Sequence, residues 1–192
     1  MSVAPASPSP PTAWLRGNLR PVVGIAAIVA AVHLAGLAGL VLARPEPPWW
    51  WLAGGVGIVS VAAVATFATS AGRPRLERVG DRLRVRLAPG RAEDVPLDVV
   101  ECFFMGSQVI GPVADDTPRY RVGTLVMRVA ERARSWQTRP TLAAWGAWED
   151  GAVVFDGRWC EPLSADLARR LSGWLVEAKR QAAAAPVAER PS

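Results

Sequence analysis

A single imidazole, two thiols and a few carboxylates are the side chains with which this chain could do acid–base, nucleophilic or metal chemistry. His33 is the only histidine, and it sits in the middle of an apolar run, Pro21 to Ala43. A polar ionisable group at such a position is costly and is a functional candidate by default. A proton relay would need further titratable groups in the apolar segments, and neither segment contains an acid, a lysine or an arginine. The expectation is therefore a neutral His33, hydrogen-bonded to Ser60 of the second apolar run or to a backbone carbonyl. Beyond His33 there is no histidine at all, which removes Ser–His and Cys–His nucleophile pairs and most zinc sites.

The remaining candidates read as structural. Cys102 and Cys160 form no CxxC or Cys/His cluster and are expected as small, reduced core residues. Asp115 and Asp116 stand in a segment rich in proline and glycine and read as solvated loop acids. Asp98 and Glu101 flank apolar residues, one side chain expected outward and one in an ion pair. Ala88-Pro89-Gly90-Arg91 lacks the spacing and the lysine of a phosphate-cradling loop. No catalytic, cofactor-binding or metal-ligating residue is assigned, no cofactor is implied, and the chain reads as a non-enzyme.

The most suggestive surface is basic. Arg82, Arg84 and Arg86 alternate with Leu83, Val85 and Leu87, a half-buried strand with its arginines on one face. Close to a membrane such a row meets anionic headgroups, each arginine worth about 1 kcal/mol. The alternative is a solvated face cross-paired with acids such as Glu77. Trp136, Trp145, Trp148 and Trp159 could line a ligand pocket but read first as core aromatics.

The elements that must position these residues begin with two apolar runs, 21–43 and 48–70, joined by Arg44-Pro45-Glu46-Pro47. Each has the length a helix needs to cross a bilayer core of about 30 Å. Arg16 and Arg20 precede the first run, and Arg73, Arg75 and Arg78 follow the second. The basic bias places both termini in the cytoplasm and the link outside. Trp49, Trp50 and Trp51 fall at the outer interface as anchors. Ala27, Ala31, Ala35 and Gly39, with Ala53, Gly57, Ala65 and Thr69, form small-residue stripes suited to a tight antiparallel hairpin or to a partner helix.

From Gly72 onward the periodicity changes to alternation. Hairpin strands are expected around Gly80-Asp81, a longer strand over Val95–Phe104 after a loop at Ala88–Asp94, and a loop over Gly106–Pro118. A strand follows at Tyr120–Val129, and a hairpin at Thr141–Trp148 and Ala152–Cys160. Pro162, Ser164 and Asp166 start a helix whose apolar face is Leu167, Leu171, Trp174, Leu175 and Ala178. The net charge of +5 rests on a chain with one lysine, and acids are interleaved with the arginines, so no nucleic acid partner is expected. The domain organisation is a disordered N-terminal tail over 1–20, a transmembrane hairpin over 21–70, a cytoplasmic domain over 73–181 and a disordered tail over 182–192. The fold class is α+β: a transmembrane helical hairpin, then an antiparallel β domain of about six strands, closed by an amphipathic helix.

Two membrane helices, then strands, then a closing helix resemble the order in bacterial membrane proteins with a pleckstrin-homology-like (PH-like) cytoplasmic domain. Val95-Pro-Leu-Asp-Val-Val-Glu-Cys-Phe-Phe104 resembles the third strand of such domains. Asp156-Gly-Arg-Trp-Cys160, leading into Leu163-Ser-Ala-Asp-Leu167, resembles their last strand and helix. The same segments resemble those of planctomycete-type two-helix membrane proteins. The resemblance implies an inner-membrane protein whose domain interacts or scaffolds rather than catalyses, and it supplies no site residues. The expected partners are the lipid bilayer and another membrane protein, with two alternatives: anionic-lipid sensing by the arginine face, or an accessory subunit of a transporter or protease.

Overall fold

The computed structural model describes residues 12–43, 47–110, 120–136, 139–149 and 151–184. The chain divides into two compact units, Gly17–Arg73 and the residues on either side of it. The first is a pair of helices, α1 (Arg20–Ala43) and α2 (Pro47–Gly72). At 1.5 Å per residue each exceeds the roughly 30 Å of a bilayer core. Both are long and apolar enough to cross a membrane, and none of the most apolar window of either is buried.

Their facing seams differ from the expected stripes. On α1, Val22, Ala26, Val29, His33 and Leu40 turn inward, whereas Ala27, Ala31, Ala35 and Gly39 are exposed. On α2 the inward residues include Ala53, Gly57, Ser60, Val64, Phe67 and Ala71, which keeps half of the expected stripe and leaves out Ala65 and Thr69. The seam alternates steps of three and four residues, as helices crossing at a shallow angle require. A Cβ added at Gly39 or Gly57 would touch nothing within 4 Å, so close backbone approach at these two glycines does not hold the pair. In an alanine-rich helix several faces look alike to a spacing rule, and only the partner selects one.

The other unit contains eight strands among the described residues: β1 (Ala13–Leu15), β2 (Leu76–Val79), β3 (Arg82–Ala88), β4 (Arg91–Pro96), β5 (Val100–Ile110), β6 (Tyr120–Val129), β7 (Gly146–Glu149) and β8 (Ala152–Asp156). A helix, α3 (Ala165–Ala184), follows them. They form two antiparallel four-stranded sheets, ordered β1-β2-β3-β4 and β5-β6-β8-β7. The α+β class and the closing helix are as the sequence indicates. The strand inventory differs in five places.

Residues 13–15 are a strand rather than part of a disordered tail; Trp14 and Leu15 are fully buried. Residues 1–11 and 185–192 lie outside the described residues. The expected loop Ala88–Asp94 is a tight turn at Gly90 (φ +69°) followed by β4. Its polar residues conceal a strand because they are paired: Asp94 stands opposite Arg84, and Glu93 meets Arg139 at 3.2 Å. The expected strand Val95–Phe104 is broken by a 3-10 turn at Leu97–Val99. Val95, Leu97 and Val100 are all buried around this corner, so hydrophobicity runs through it without a mark. Finally, β5 continues to Ile110 into the expected loop, and the expected strand from Thr141 begins only at Gly146, after a turn at 143–145.

The core lies between the sheets and α3. Leu76, Leu83, Val85, Leu125, Met127, Val153, Phe155 and Leu171 are all essentially inaccessible. Ser164 caps α3 by accepting from the Leu167 backbone N–H at 3.1 Å. The helix buries Leu167, Ala168, Leu171, Leu175 and Ala178, the expected face with Trp174 packed beside it.

Candidate functional site

Four features bear on function: the insertion of the hairpin between two strands of the β unit, the arginine row, the polar pair in the hairpin and a buried cation. The first is topological. β1 precedes the helices in the chain and β2 follows them, yet the two strands pair as neighbours. The Arg75 N–H donates to the Leu15 carbonyl at 2.8 Å, and the Arg78 N–H donates to Thr12 at 2.7 Å. Trp14 sits edge-on to Phe103 and tilted against Trp174, with ring centroids 6.2 and 6.1 Å away. The helical pair is thus an insertion between two hydrogen-bonded strands, and the chain leaves and re-enters the β unit at one place.

The arginine row exists but is compensated. Arg84 grips Asp94 directly across the ladder with two parallel bonds, 2.7 and 2.9 Å. Arg86 meets Glu77 at 2.8 Å and also donates to the Pro74 carbonyl. Arg82, the most exposed, lies 3.9 Å from Asp81. The row therefore faces its own acids, the arrangement anticipated with Glu77. The Arg84 guanidinium, through its hydrogen bonds, holds the Asp94 carboxyl below its ordinary range, against a smaller opposing effect of burial. The folded chain then binds that proton less tightly than the unfolded one. The stabilisation is complete above the usual carboxylate value of about 3.9 and is lost as pH falls below it. Asp94→Asn is expected to flatten the acid limb of the stability profile while costing under about 1 kcal/mol at neutral pH. Thermal unfolding across pH 2.5–7 (roughly the range over which carboxylates titrate) checks this; an unchanged acid limb would exclude the pair as its source.

In the hairpin, His33 and Ser60 do share one place. With Ile28, Val29, Val32, Ala63 and Val64 they line a cavity of about 290 Å³ between α1 and α2. His33 Nδ1 donates to the Val29 carbonyl one turn back at 2.7 Å, which assigns the proton to Nδ1. Nε2 has no hydrogen-bond partner among the described residues. Of the two partners expected for His33, the structure shows the backbone carbonyl. Trp49, Trp50 and Trp51 are exposed on the first turns of α2.

The buried cation is Arg75, which the sequence places among juxtamembrane charges. It is wholly inaccessible, its guanidinium 3.5 Å above the Trp145 ring, and its Nε donates to the Trp159 carbonyl at 3.4 Å. Burial lowers its pKa to about 10, partly opposed by nearby Cys160. Burial likewise pushes the Cys160 thiol up to about 12, so it is protonated and unreactive at neutral pH. Cys102, expected in the core, is exposed instead, because a register shift between Val100 and Cys102 turns it to the outer face opposite Arg128. Asp98 and Glu101 are both exposed and both ion-paired, to Arg132 and Arg128. Asp115, Asp116 and the Trp136 side chain lie outside the described residues. Among the described residues no three His, Cys, Asp or Glu side chains cluster as metal ligands do. Of the tryptophans proposed as a pocket, Trp145 is in the core under Arg75, and Trp148 packs against that core.

The outer face of the second sheet carries one continuous apolar row that sequence reasoning missed. Phe104, Val126, Val154 and Ala147 stand opposite one another across all four strands. Phe104 is 44% exposed and the others half-buried. The signal was present as alternation in β5 and β6, but which alternate face is the core depends on the partner sheet. No family model, no curated protein and no solved structure matches this chain.

Proposed function

We propose that this is an integral membrane protein whose hairpin spans the bilayer twice and holds a non-catalytic β unit at the cytoplasmic surface, where it contacts another protein. The observation that carries the reading is the insertion of the hairpin between β1 and β2. A two-span hairpin returns to the side it left, and the pairing of these strands demands that return. The basic bias of Arg16, Arg20, Arg73, Arg75 and Arg78 over the link supports the cytoplasm as that side. The apolar row through Phe104 and Val126 supports a protein contact, since a sheet face turned to water carries polar residues. The paired state of Arg84 and Arg86 favours this over headgroup sensing by the arginine face.

Tags at Met1 and Ser192 test it in sealed right-side-out vesicles. The protein is expected to resist alkaline extraction, and both tags should be protease-protected until the vesicles are opened. Extraction at high pH, or protection of only one tag, would overturn the reading.

A further inference from the structure

The apolar row on the outer face of the second sheet is graded in size. From edge strand β5 through β6 and β8 to edge strand β7 it runs Phe104, Val126, Val154, Ala147. A ring stands at one end, a methyl group at the other and two valines between. The neighbouring row along the strands runs Cys102, Arg128, Ala152, Glu149. This one is graded in charge, with a cation on β6 and an acid on β7, both exposed. The alternate residues of these strands, among them Leu125, Met127, Val153 and Phe155, already form the core, so the outer rows are left over from folding.

A surface that meets itself across a two-fold axis needs such gradients. An isologous interface brings residue i onto j and j onto i, so each half must complement the other. Two such faces can pack with their strands roughly aligned and the axis running along the strands, between β6 and β8. Then β5 lies over β7 of the second copy, and β6 over its β8. Phe104 falls on Ala147, where a methyl group leaves room for the ring, and Val126 falls on Val154. In the charged row Arg128 falls on Ala152, beside Glu149 of the second copy. Arg128 already meets Glu101 at 3.2 Å, and a guanidinium with five N–H donors can serve two carboxylates. An axis across the strands would instead stack Phe104 on Phe104 and Ala147 on Ala147, splaying one edge and leaving a gap at the other.

We propose that the outer face of the second sheet binds a second copy of this chain, in a two-fold dimer that seats Phe104 on Ala147 and Arg128 beside Glu149. The inference rests on the reading of this face as a protein contact and names the partner. The four strands span only about 14 Å from edge to edge, so the interface is small and the dimer concentration-dependent.

The test cross-links the full-length chain in the membranes in which it is expressed and reads the products by mass. Cys160 is buried, which leaves Cys102 as the accessible thiol. Within one chain residues 102 and 149 are three strand spacings, or about 14 Å, away from each other, whereas in the dimer they face across the interface. A bismaleimide shorter than that gap is expected to join Glu149→Cys chains into dimers, through Cys102 of one copy and position 149 of the other. The unsubstituted chain, whose two Cys102 thiols stand at opposite edges of the dimer, should give none, and neither should Glu149→Cys combined with Cys102→Ser. Adding Phe104→Glu is expected to cut the dimer yield at least about tenfold, because it buries an unpaired carboxylate. Ala147→Leu, which fills the seat of the ring without adding charge, should cut it as well, with thermal unfolding confirming that each variant folds. Equal dimer yield from the unsubstituted chain, or from Glu149→Cys lacking Cys102, would overturn this dimer. An adduct with a different protein would exclude the second copy as partner while keeping the face as a protein contact. No adduct of either kind would overturn both readings of the face.

Discussion

Trp14→Ala is expected to lower the stability of the β unit by about 3–5 kcal/mol, the usual cost of removing a fully buried tryptophan. Trp14 is 1% exposed and is the side chain by which a three-residue strand is fastened to the core. So short a strand has little backbone pairing of its own, and its position depends on this ring packing against Phe103 and Trp174. The loss therefore has a location as well as a size. Hydrogen exchange should show the Arg75 and Arg78 amides, which donate to Leu15 and Thr12, losing protection, while the β6–β8 ladder weakens only in proportion to global stability. Trp14→Phe should cost far less, because Trp14 Nε1 has no hydrogen-bond partner among the described residues and its removal orphans nothing. Unchanged protection at Arg75 and Arg78 in the alanine variant would mean that something other than Trp14 fastens β1.

Trp145→Ala is expected to cost about 4 kcal/mol, the usual size for emptying a fully buried tryptophan site, with the loss of its cation–π contact to Arg75 included. For a domain of this size that lowers Tm by roughly 15–25 °C. The sign of the Arg75 pKa matters here. Its value near 10 is below the ordinary arginine value, so the folded chain holds this proton less tightly than the unfolded one. Burial of the charge thus costs stability at neutral pH, and the cost declines as pH rises above about 10. Stacking on Trp145 and the bond to Trp159 offset it. Removing the ring leaves the cost without that offset, and Arg75→Met, which keeps the length of the side chain and removes the charge, should recover part of the loss in the Trp145→Ala background. An Arg75→Met effect of the same size with and without Trp145→Ala, in a double-mutant cycle followed by thermal unfolding, would show that the two side chains are not coupled.

Local pattern made much of this protein legible. Two uncharged apolar stretches of helical length, the alternation Arg82 to Leu87, and the apolar face Leu167 to Ala178 need no partner to be recognised. Their periods of 3.6 and 2 are properties of the backbone itself. The absence of histidine outside the hairpin likewise narrowed the chemistry without reference to any fold. The tertiary structure alone assigned the rest, because each remaining feature is a pairing across the chain. β1 is three residues long and becomes a strand only through β2, on the far side of the hairpin. β4 is polar and becomes a strand only because Arg84 lies across from Asp94. Arg75 looks like any flanking charge until Trp145, seventy positions on in the sequence, is brought beneath it. The arginine face was correctly located from alternation, but its meaning depended on which acids folded against it. A one-dimensional pattern tells which residues share a face; only contact between distant segments decides what that face meets.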